Sequence, residues 1–207
     1  MKKGFFLTFE GSDGCGKSTQ AGLLIKKLKK LGFNVVHTRE PGGTIVAEAV
    51  RKILLDPKSK ISPIAELFLY EACRAQHTEE IISPALKAGK AVICERYTDA
   101  TIAYQGFGRN IDKKIIFQLN GIATANLNPD LTIFFDVDVK KGLSRTDKRG
   151  KKDRLEKESV PFYQKVRNGY LWLAKRYPER IKVIKADDTI DNIAGEIFEI
   201  VAERLKK

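Results

Sequence analysis

The chain has 207 residues, with 38 Lys and Arg against 26 Asp and Glu for a formal net charge of +12, and hydrophobic residues make up 43%. That size fits one domain with its own packed core, and a composition this apolar excludes a disordered chain. The three cysteines, Cys15, Cys73 and Cys94, are odd in number and never form a C-x-x-C pair, which argues against a disulfide scaffold or a zinc ribbon.

No apolar run reaches the length of a membrane span. The Phe5–Phe9 stretch is cut short by Glu10 and Asp13, too soon for a signal peptide, so a soluble protein of the reducing cytoplasm is expected, with no membrane partner. The excess of +12 points to polyanionic partners: nucleic acid, anionic membrane or phosphorylated small molecules.

Taken in chain order, short apolar runs alternate with segments of helical period. A strand at Phe5–Glu10 leads into a helix at Lys17–Leu31, whose late Lys26, Lys27, Lys29 and Lys30 suit a helix C-terminus closed by Gly32. A strand at Asn34–His37 precedes a helix at Thr44–Leu55. Ser62-Pro63 opens a long helix over Ile64–Lys87, with Pro84 placed to kink it and Gly89 beyond its end. After a strand at Ala91–Glu95 come helices at Asp99–Tyr104 and Asp112–Ala125. A strand at Leu131–Asp136 is followed by a basic stretch, a helix at Ser159–Tyr177, a strand at Ile181–Lys185 and a last helix at Thr189–Leu205. This order predicts an α/β fold: a doubly wound five-stranded parallel sheet flanked by helices. One domain over residues 1–207 is expected, with the lid at about 145–157.

Gly11-Ser12-Asp13-Gly14-Cys15-Gly16-Lys17-Ser18 matches G-x-x-x-x-G-K-[ST] between a predicted strand and a predicted helix, the context a phosphate cradle needs, which makes the expected fold the P-loop NTPase type with a short lid. Residues 11–18 and Thr19 are therefore assigned to ATP. Lys17 would reach the β- and γ-phosphates and Ser18 would ligate Mg²⁺. Asp13 is an acid beside a polyphosphate, which requires a partner such as a sugar hydroxyl or an Asx-type turn. Cys15 stands where a helix N-terminus and Lys17 favour a thiolate. Arg39 and Arg96 follow the second and third strands, and guanidinium forks in the crevice beside a P-loop suit a phosphate monoester.

Phe9-Glu10-Gly11, Thr38-Arg39-Glu40-Pro41-Gly42-Gly43-Thr44, Arg96-Tyr97, Ala103-Tyr104-Gln105-Gly106, Asn128-Pro129-Asp130-Leu131 and Asp153-Arg154-Leu155-Glu156 together resemble the thymidylate kinase family. The resemblance implies transfer of the ATP γ-phosphoryl to dTMP, with Mg²⁺ as cofactor, and a homodimer. It implies that Arg39 and Arg96 hold the dTMP phosphate, that Tyr70 stacks on thymine and that Arg74 hydrogen-bonds the base. Thr101 would meet the pyrimidine edge, Tyr104 the sugar, Gln105 the border of the site and Asp13 the 3′-hydroxyl. Tyr70 and Arg74 are four residues apart on a helix, so a ring and a guanidinium can approach one base together.

Two positions depart from the family. Glu95 replaces the usual Asp before Arg96, lengthening by one methylene an acid expected to serve Mg²⁺ through water, and Tyr70 replaces the usual Phe, adding a hydroxyl that needs a partner. Position 14 is Gly, so the P-loop offers no arginine. The transition-state cation is assigned to the lid, to Arg149 first and Arg154 second, with Arg145 nearby; Lys17 and Arg96 complete the catalytic set. Residue chemistry alone leaves open a kinase for another nucleoside monophosphate or a deoxynucleoside. A nucleic-acid-dependent ATPase would interleave aromatics with its cations. Between Lys140 and Lys157 nine Lys and Arg stand against three acids with no aromatic residue, so no nucleic-acid partner is expected.

Overall fold

The computed structural model describes residues 4–147, 150 and 152–205. The apolar runs form strands β1 (Phe5–Glu10), β2 (Val35–Arg39), β3 (Ala91–Glu95), β4 (Leu131–Asp136) and β5 (Ile181–Lys185), all parallel in the order β2-β3-β1-β4-β5. β1 is central, with Leu7 opposite Ile93 of β3 and Leu131 of β4. Its C-terminal end and that of β3 therefore open side by side into one crevice, where ligands of such sheets bind.

Consecutive strand residues face opposite sides, and both faces are covered. Phe135 meets Phe9 edge-to-face with centroids 5.2 Å apart, while Phe134 stacks on Tyr170 at 4.9 Å. Phe9 and Phe135 belong to the core shared with helices α1 (Lys17–Lys30) and α9 (Ile190–Leu205). Phe134 and Tyr170 belong to the core shared with α3 (Pro63–His77), α6 (Lys113–Thr124) and α8 (Val160–Arg176). Helix α2 (Ile45–Leu55) packs against α3.

Local chemistry sets the helix starts. Thr44, Ser62, Asp112 and Ser159 each accept a backbone N–H of the first turn of α2, α3, α6 and α8. Helix α1 differs: Gly16 precedes it at φ +99° with no side-chain cap, so its first N–H groups are left for an anion.

Four strands coincide with the apolar runs, and β2 sits later than the predicted 34–37 because its ladder with β3 runs on to Arg39 opposite Glu95. The long helix does not run evenly from 64 to 87. After α3 it widens into a π turn at Thr78–Ile82 and resumes as α4 (Ser83–Lys87), since Pro84 has no N–H to donate and its ring displaces the carbonyl four residues back. The expected helix at 99–104 is α5 (Thr98–Thr101) passing into a second π stretch, Ile102–Gly108.

One helix was not expected. Val139–Asp147 forms α7, so the basic stretch begins as a helix rather than a loop. Asp138 caps it through the Lys140 and Lys141 N–H groups at 3.0 and 3.1 Å. Among the described residues no helix is long and apolar enough to cross a membrane, and all three cysteines are buried free thiols.

Candidate active site

The loop from β1 to α1 turns on Gly11, Gly14 and Gly16 at φ +142°, +75° and +99°, conformations that residues with a Cβ rarely adopt. Gly14 is required twice over, since a Cβ there would lie 2.3 Å from the Gly142 carbonyl oxygen of α7. Lys17 curls back over the loop, donating its Nζ to the carbonyls of Gly11 (3.0 Å) and Ser12 (2.8 Å) and to Cys15 Sγ at 3.5 Å. The Cys15 side chain is turned into the core with Leu24 and Phe135, so it meets the cradle through its sulfur against Lys17 and through its backbone.

Beside this loop a pocket of about 470 Å³ is lined by Asp13, Gly14, Gly16, Lys17, Ser18 and Thr19 from the cradle, and by Arg39, Tyr70, Arg74, Arg96, Thr101, Tyr104 and Gln105 from the acceptor side. Gly11, Ser12 and Cys15 are not among its lining residues. Arg96, at φ +68°, donates Nη1 to the Gly11 carbonyl at 2.5 Å and Nη2 to Asp13 at 2.6 Å. The acid in the cradle thus has a protein partner of its own. Arg39 is exposed and pairs with Glu48 at 2.9 Å.

Arg74 is buried to the last few per cent and held from every side. Its Nε donates to Glu40 at 2.9 Å, and Nη1 donates to Glu71, Thr101 and Asn120 at 2.7–2.9 Å. Nη2 donates to the Tyr97 carbonyl at 3.1 Å, which accounts for one of that nitrogen's two N–H groups. Burial works against its charge, and Glu71 and Glu40 outweigh it, so the guanidinium is held ionised well above its ordinary range. Tyr104 lies 5.5 Å from the Arg96 guanidinium, and its buried hydroxyl has no partner among the described residues. Tyr70 is half-buried at the pocket wall, and burial pushes its phenol up.

Glu95 ends β3 with one carboxylate oxygen accepting the Ser18 hydroxyl at 2.5 Å and the other against His37 Nε2 at 3.1 Å. Burial raises this carboxyl, but His37, Ser18 and Lys17 more than reverse that and hold it below the usual range. A hydroxyl and an ionised carboxylate in contact are hard oxygen donors of the kind Mg²⁺ takes alongside substrate phosphates, so the extra methylene of Glu95 does not carry it out of reach of Ser18. Among the described residues no group of three or more His, Cys, Asp or Glu forms a separate metal cluster.

The lid arginines part company. Arg149 lies outside the described residues. Arg154, expected at the transferring phosphoryl, is instead committed to α2 and α3: its Nε donates to the Leu54 carbonyl at 2.7 Å and its Nη1 meets Glu66 at 2.6 Å. A buried carboxylate is a stronger attraction than solvent for a cation so placed. Arg145 of α7 donates to the Gly14 carbonyl at 3.2 Å, which brings it to the P-loop.

Sequence reasoning missed several supporting groups. Arg51 lines the pocket and donates to the Pro41 carbonyl at 2.6 Å, bracing the turn after the cis Glu40–Pro41 bond. Glu40 links Arg74 to His77 Nδ1 at 2.9 Å, and His77 Nε2 meets Thr38 at 2.6 Å. The Arg-Glu-Pro-Gly-Gly motif contained Glu40, but its two partners lie more than 30 residues away. Glu10 is fully buried and accepts the Tyr97 N–H at 2.7 Å and the Tyr170 hydroxyl at 2.8 Å; only its place one residue before the P-loop hinted at a role.

A parallel sheet with a P-loop at its central strand, and a second arginine-lined compartment sharing the same pocket, defines a P-loop kinase. The thymidylate kinase family pattern matches residues 9–197, and the chain belongs to that family. The thymidylate kinase of Citrifermentans bemidjiense is 49% identical over 98% of this chain and 93% of its own, and that of Exiguobacterium sp. is 45% identical over 99% and 97%. The crystal structure of thymidylate kinase from Ehrlichia chaffeensis superposes with a TM-score of 0.79 at 36% identity, covering 96% of this chain and 99% of that one.

Burial pushes the Glu10 carboxyl from the usual 4.5 up to about 7, with Asp99 acting in the same direction and Arg96, Tyr170 and the Tyr97 N–H opposing. A pKa raised by folding favours the protonated form, so this group's contribution to stability is complete below about pH 4.5 and is lost as pH rises through about 7, a change of about 3 kcal/mol. Glu10→Gln keeps an oxygen for the Tyr97 N–H and cannot titrate. Thermal melts from about pH 5 to about pH 7.5 should show wild-type stability falling relative to the variant; parallel curves would remove Glu10 as the titrating group.

Proposed function

We infer that this chain transfers the γ-phosphoryl group of ATP to dTMP, giving ADP and dTDP for dTTP synthesis. One observation carries the reading: the phosphate cradle and the Arg39, Arg96, Tyr70 and Arg74 side chains line a single pocket, so donor and acceptor phosphates can meet without crossing solvent. Lys17 neutralises the β- and γ-phosphates, Arg39 and Arg96 hold the acceptor phosphate, Tyr70 stacks on thymine, and the remaining Nη2 N–H of Arg74 serves a base carbonyl. Thr101 borders the pyrimidine, and the unpartnered Tyr104 hydroxyl faces the nucleoside with Asp13 and Gln105 beside it. The acceptor phosphate is itself a nucleophile at neutral pH, so positioning and charge stabilisation carry the reaction without a general base.

Ser18, with Glu95 behind it, is where Mg²⁺ would be held. Held there, Mg²⁺ would supply charge neutralisation to the donor phosphates. The segment 145–157 serves as a lid, with Arg149 and Arg145 supplying cations to the transition state and Arg154 anchoring its far end. Helix α3 packs against both α2 and α6, and the three carry exposed apolar side chains, Ile45 at 90% and Ile122 at 78% with Phe68 and Ile64, which supports a homodimer through these helices. Three free thiols and the absence of a spanning helix among the described residues support residence in the cytoplasm.

In a coupled ADP-release assay across nucleoside monophosphates, dTMP should be the best acceptor and purine monophosphates should stay near background. A thymine methyl is worth about 1–3 kcal/mol in an apolar pocket, which leaves dUMP weaker but measurable. Faster turnover of AMP or GMP would overturn the acceptor assignment. Lys17→Met should lower kcat by about 10²-fold or more with an unchanged circular dichroism spectrum; near-normal turnover would sink the cradle reading. Arg149→Ala should lower kcat and kcat/KM together by about 10³-fold, and Arg145→Ala by less, with the KM for dTMP little changed. Full kcat in the double variant would show that the transition-state charge comes from Arg39 or Arg96.

A further inference from the structure

Glu66 does not line the pocket, yet two segments that do are gathered on it. It lies on α3 one turn before Tyr70, fully buried. Its Oε1 accepts Gln105 Nε2 at 2.8 Å and Arg109 Nε at 3.1 Å, while Oε2 accepts Arg109 Nη2 at 3.1 Å and Arg154 Nη1 at 2.6 Å. Arg109 in turn meets Glu158 at 2.6 Å. Burial pushes the Glu66 carboxyl up, and Arg109, Gln105 and Arg154 together bring it below the usual range.

The Arg154 end is a built anchor. Its backbone N–H donates to the Leu55 carbonyl at 3.0 Å and its Nε to the Leu54 carbonyl at 2.7 Å. Asp153 and Glu156 cap each other's N–H groups at 2.8 and 3.1 Å, and the Tyr163 hydroxyl donates to the Leu155 carbonyl at 3.0 Å. Arg154 Nη2 is buried with no hydrogen-bond partner among the described residues, so the side chain rests chiefly on Glu66 and Leu54. Asp153, Leu155 and Glu156 face the pocket from this turn, and Gln105 faces it from the π stretch after α5.

We propose that Glu66 is a positioning residue for the acceptor end of the pocket, its buried carboxylate holding Gln105 and the Asp153–Glu156 turn at a fixed separation beside Tyr70. The proposal rests on the dTMP reading of that pocket. The charge matters as well as the shape. A glutamine at 66 has one acceptor oxygen and a donating amide, which cannot satisfy two guanidinium groups and the Gln105 amide, so both walls are released.

Calorimetric titration of dTMP and, separately, of ADP tests this on the full chain. Glu66→Gln should weaken dTMP binding about tenfold or more, as expected when positioning is lost, while ADP affinity stays within about threefold of wild type because the cradle is untouched. Glu66→Gln/Arg154→Met removes the cation left uncompensated and should recover melting temperature without recovering dTMP affinity; it carries the test alone where the single variant fails to fold. Affinity for dTMP that returns with the melting temperature, equal losses for both ligands, or dTMP binding unchanged in Glu66→Gln would each overturn the proposal. Wild-type chain that binds ADP but no dTMP overturns the acceptor reading itself, and the proposal with it.

Discussion

Arg96 holds a left-handed backbone at φ +68°, which costs a side chain with a Cβ about 1–2 kcal/mol, and the geometry of the acceptor side follows from that turn. Three contacts fix it. Its own N–H donates to the Phe9 carbonyl at 2.9 Å, the Tyr97 N–H donates to Glu10, and Cys94 Sγ donates to the Arg96 carbonyl at 3.0 Å. The backbone reversal sends the guanidinium across from β3 to the P-loop, where it ties Gly11 and Asp13. The strain is stored where β1 and β3 end together, a place where strained residues are typically maintained by their surroundings.

Beneath the pocket, arginines are oriented by buried acids. Arg74 has Glu40 and Glu71, and Glu40 continues through His77 to Thr38. Burial, with Glu40 acting in the same direction, raises the Glu71 carboxyl despite Arg74. Such pairs contribute little net stability against an apolar replacement, but removing one partner strands a buried charge at about 3–5 kcal/mol. Their role is orientation: a guanidinium bonded at Nε and Nη1 has no rotamer freedom left, so it presents Nη2 in one direction.

The parts that were legible from sequence are those whose chemistry is local. The P-loop is contiguous, and four strands are short apolar runs bounded by turn residues, so residue order alone announces them. β2 shifted because its end is set by a partner strand. Helix α7 was missed because its inward face is narrow: Val139, Gly142 and Thr146 are buried, and the remaining positions are mostly charged or polar. The true signal there was Asp138 as a cap. The site's supporting groups were illegible for a different reason, since the contacts that give them meaning span the chain: Tyr170 reaches Glu10 across 160 residues and Arg154 reaches Leu54 across 100. Arg154 reads as a lid cation in a basic run, and only the fold reveals a buried carboxylate waiting on α3.

The positive charge of the chain acquires meaning at one side chain. Burial lowers the Arg51 pKa first, Arg39 lowers it further and Arg96 adds to this, against Glu48 and Tyr70. Burial is thus the larger cost to the Arg51 charge, and the Arg39 and Arg96 guanidinium groups add to it. Among the described residues Arg39 pairs with the half-exposed Glu48, and Arg96 shares Asp13 with the cradle. A phosphate placed among them would offset the Arg39 and Arg96 charges that act against Arg51, in addition to forming its own hydrogen bonds. A neutral nucleoside offers no such relief. The charges that act against Arg51 would thus favour a phosphorylated acceptor over its unphosphorylated precursor, through charge spacing before any contact with the base.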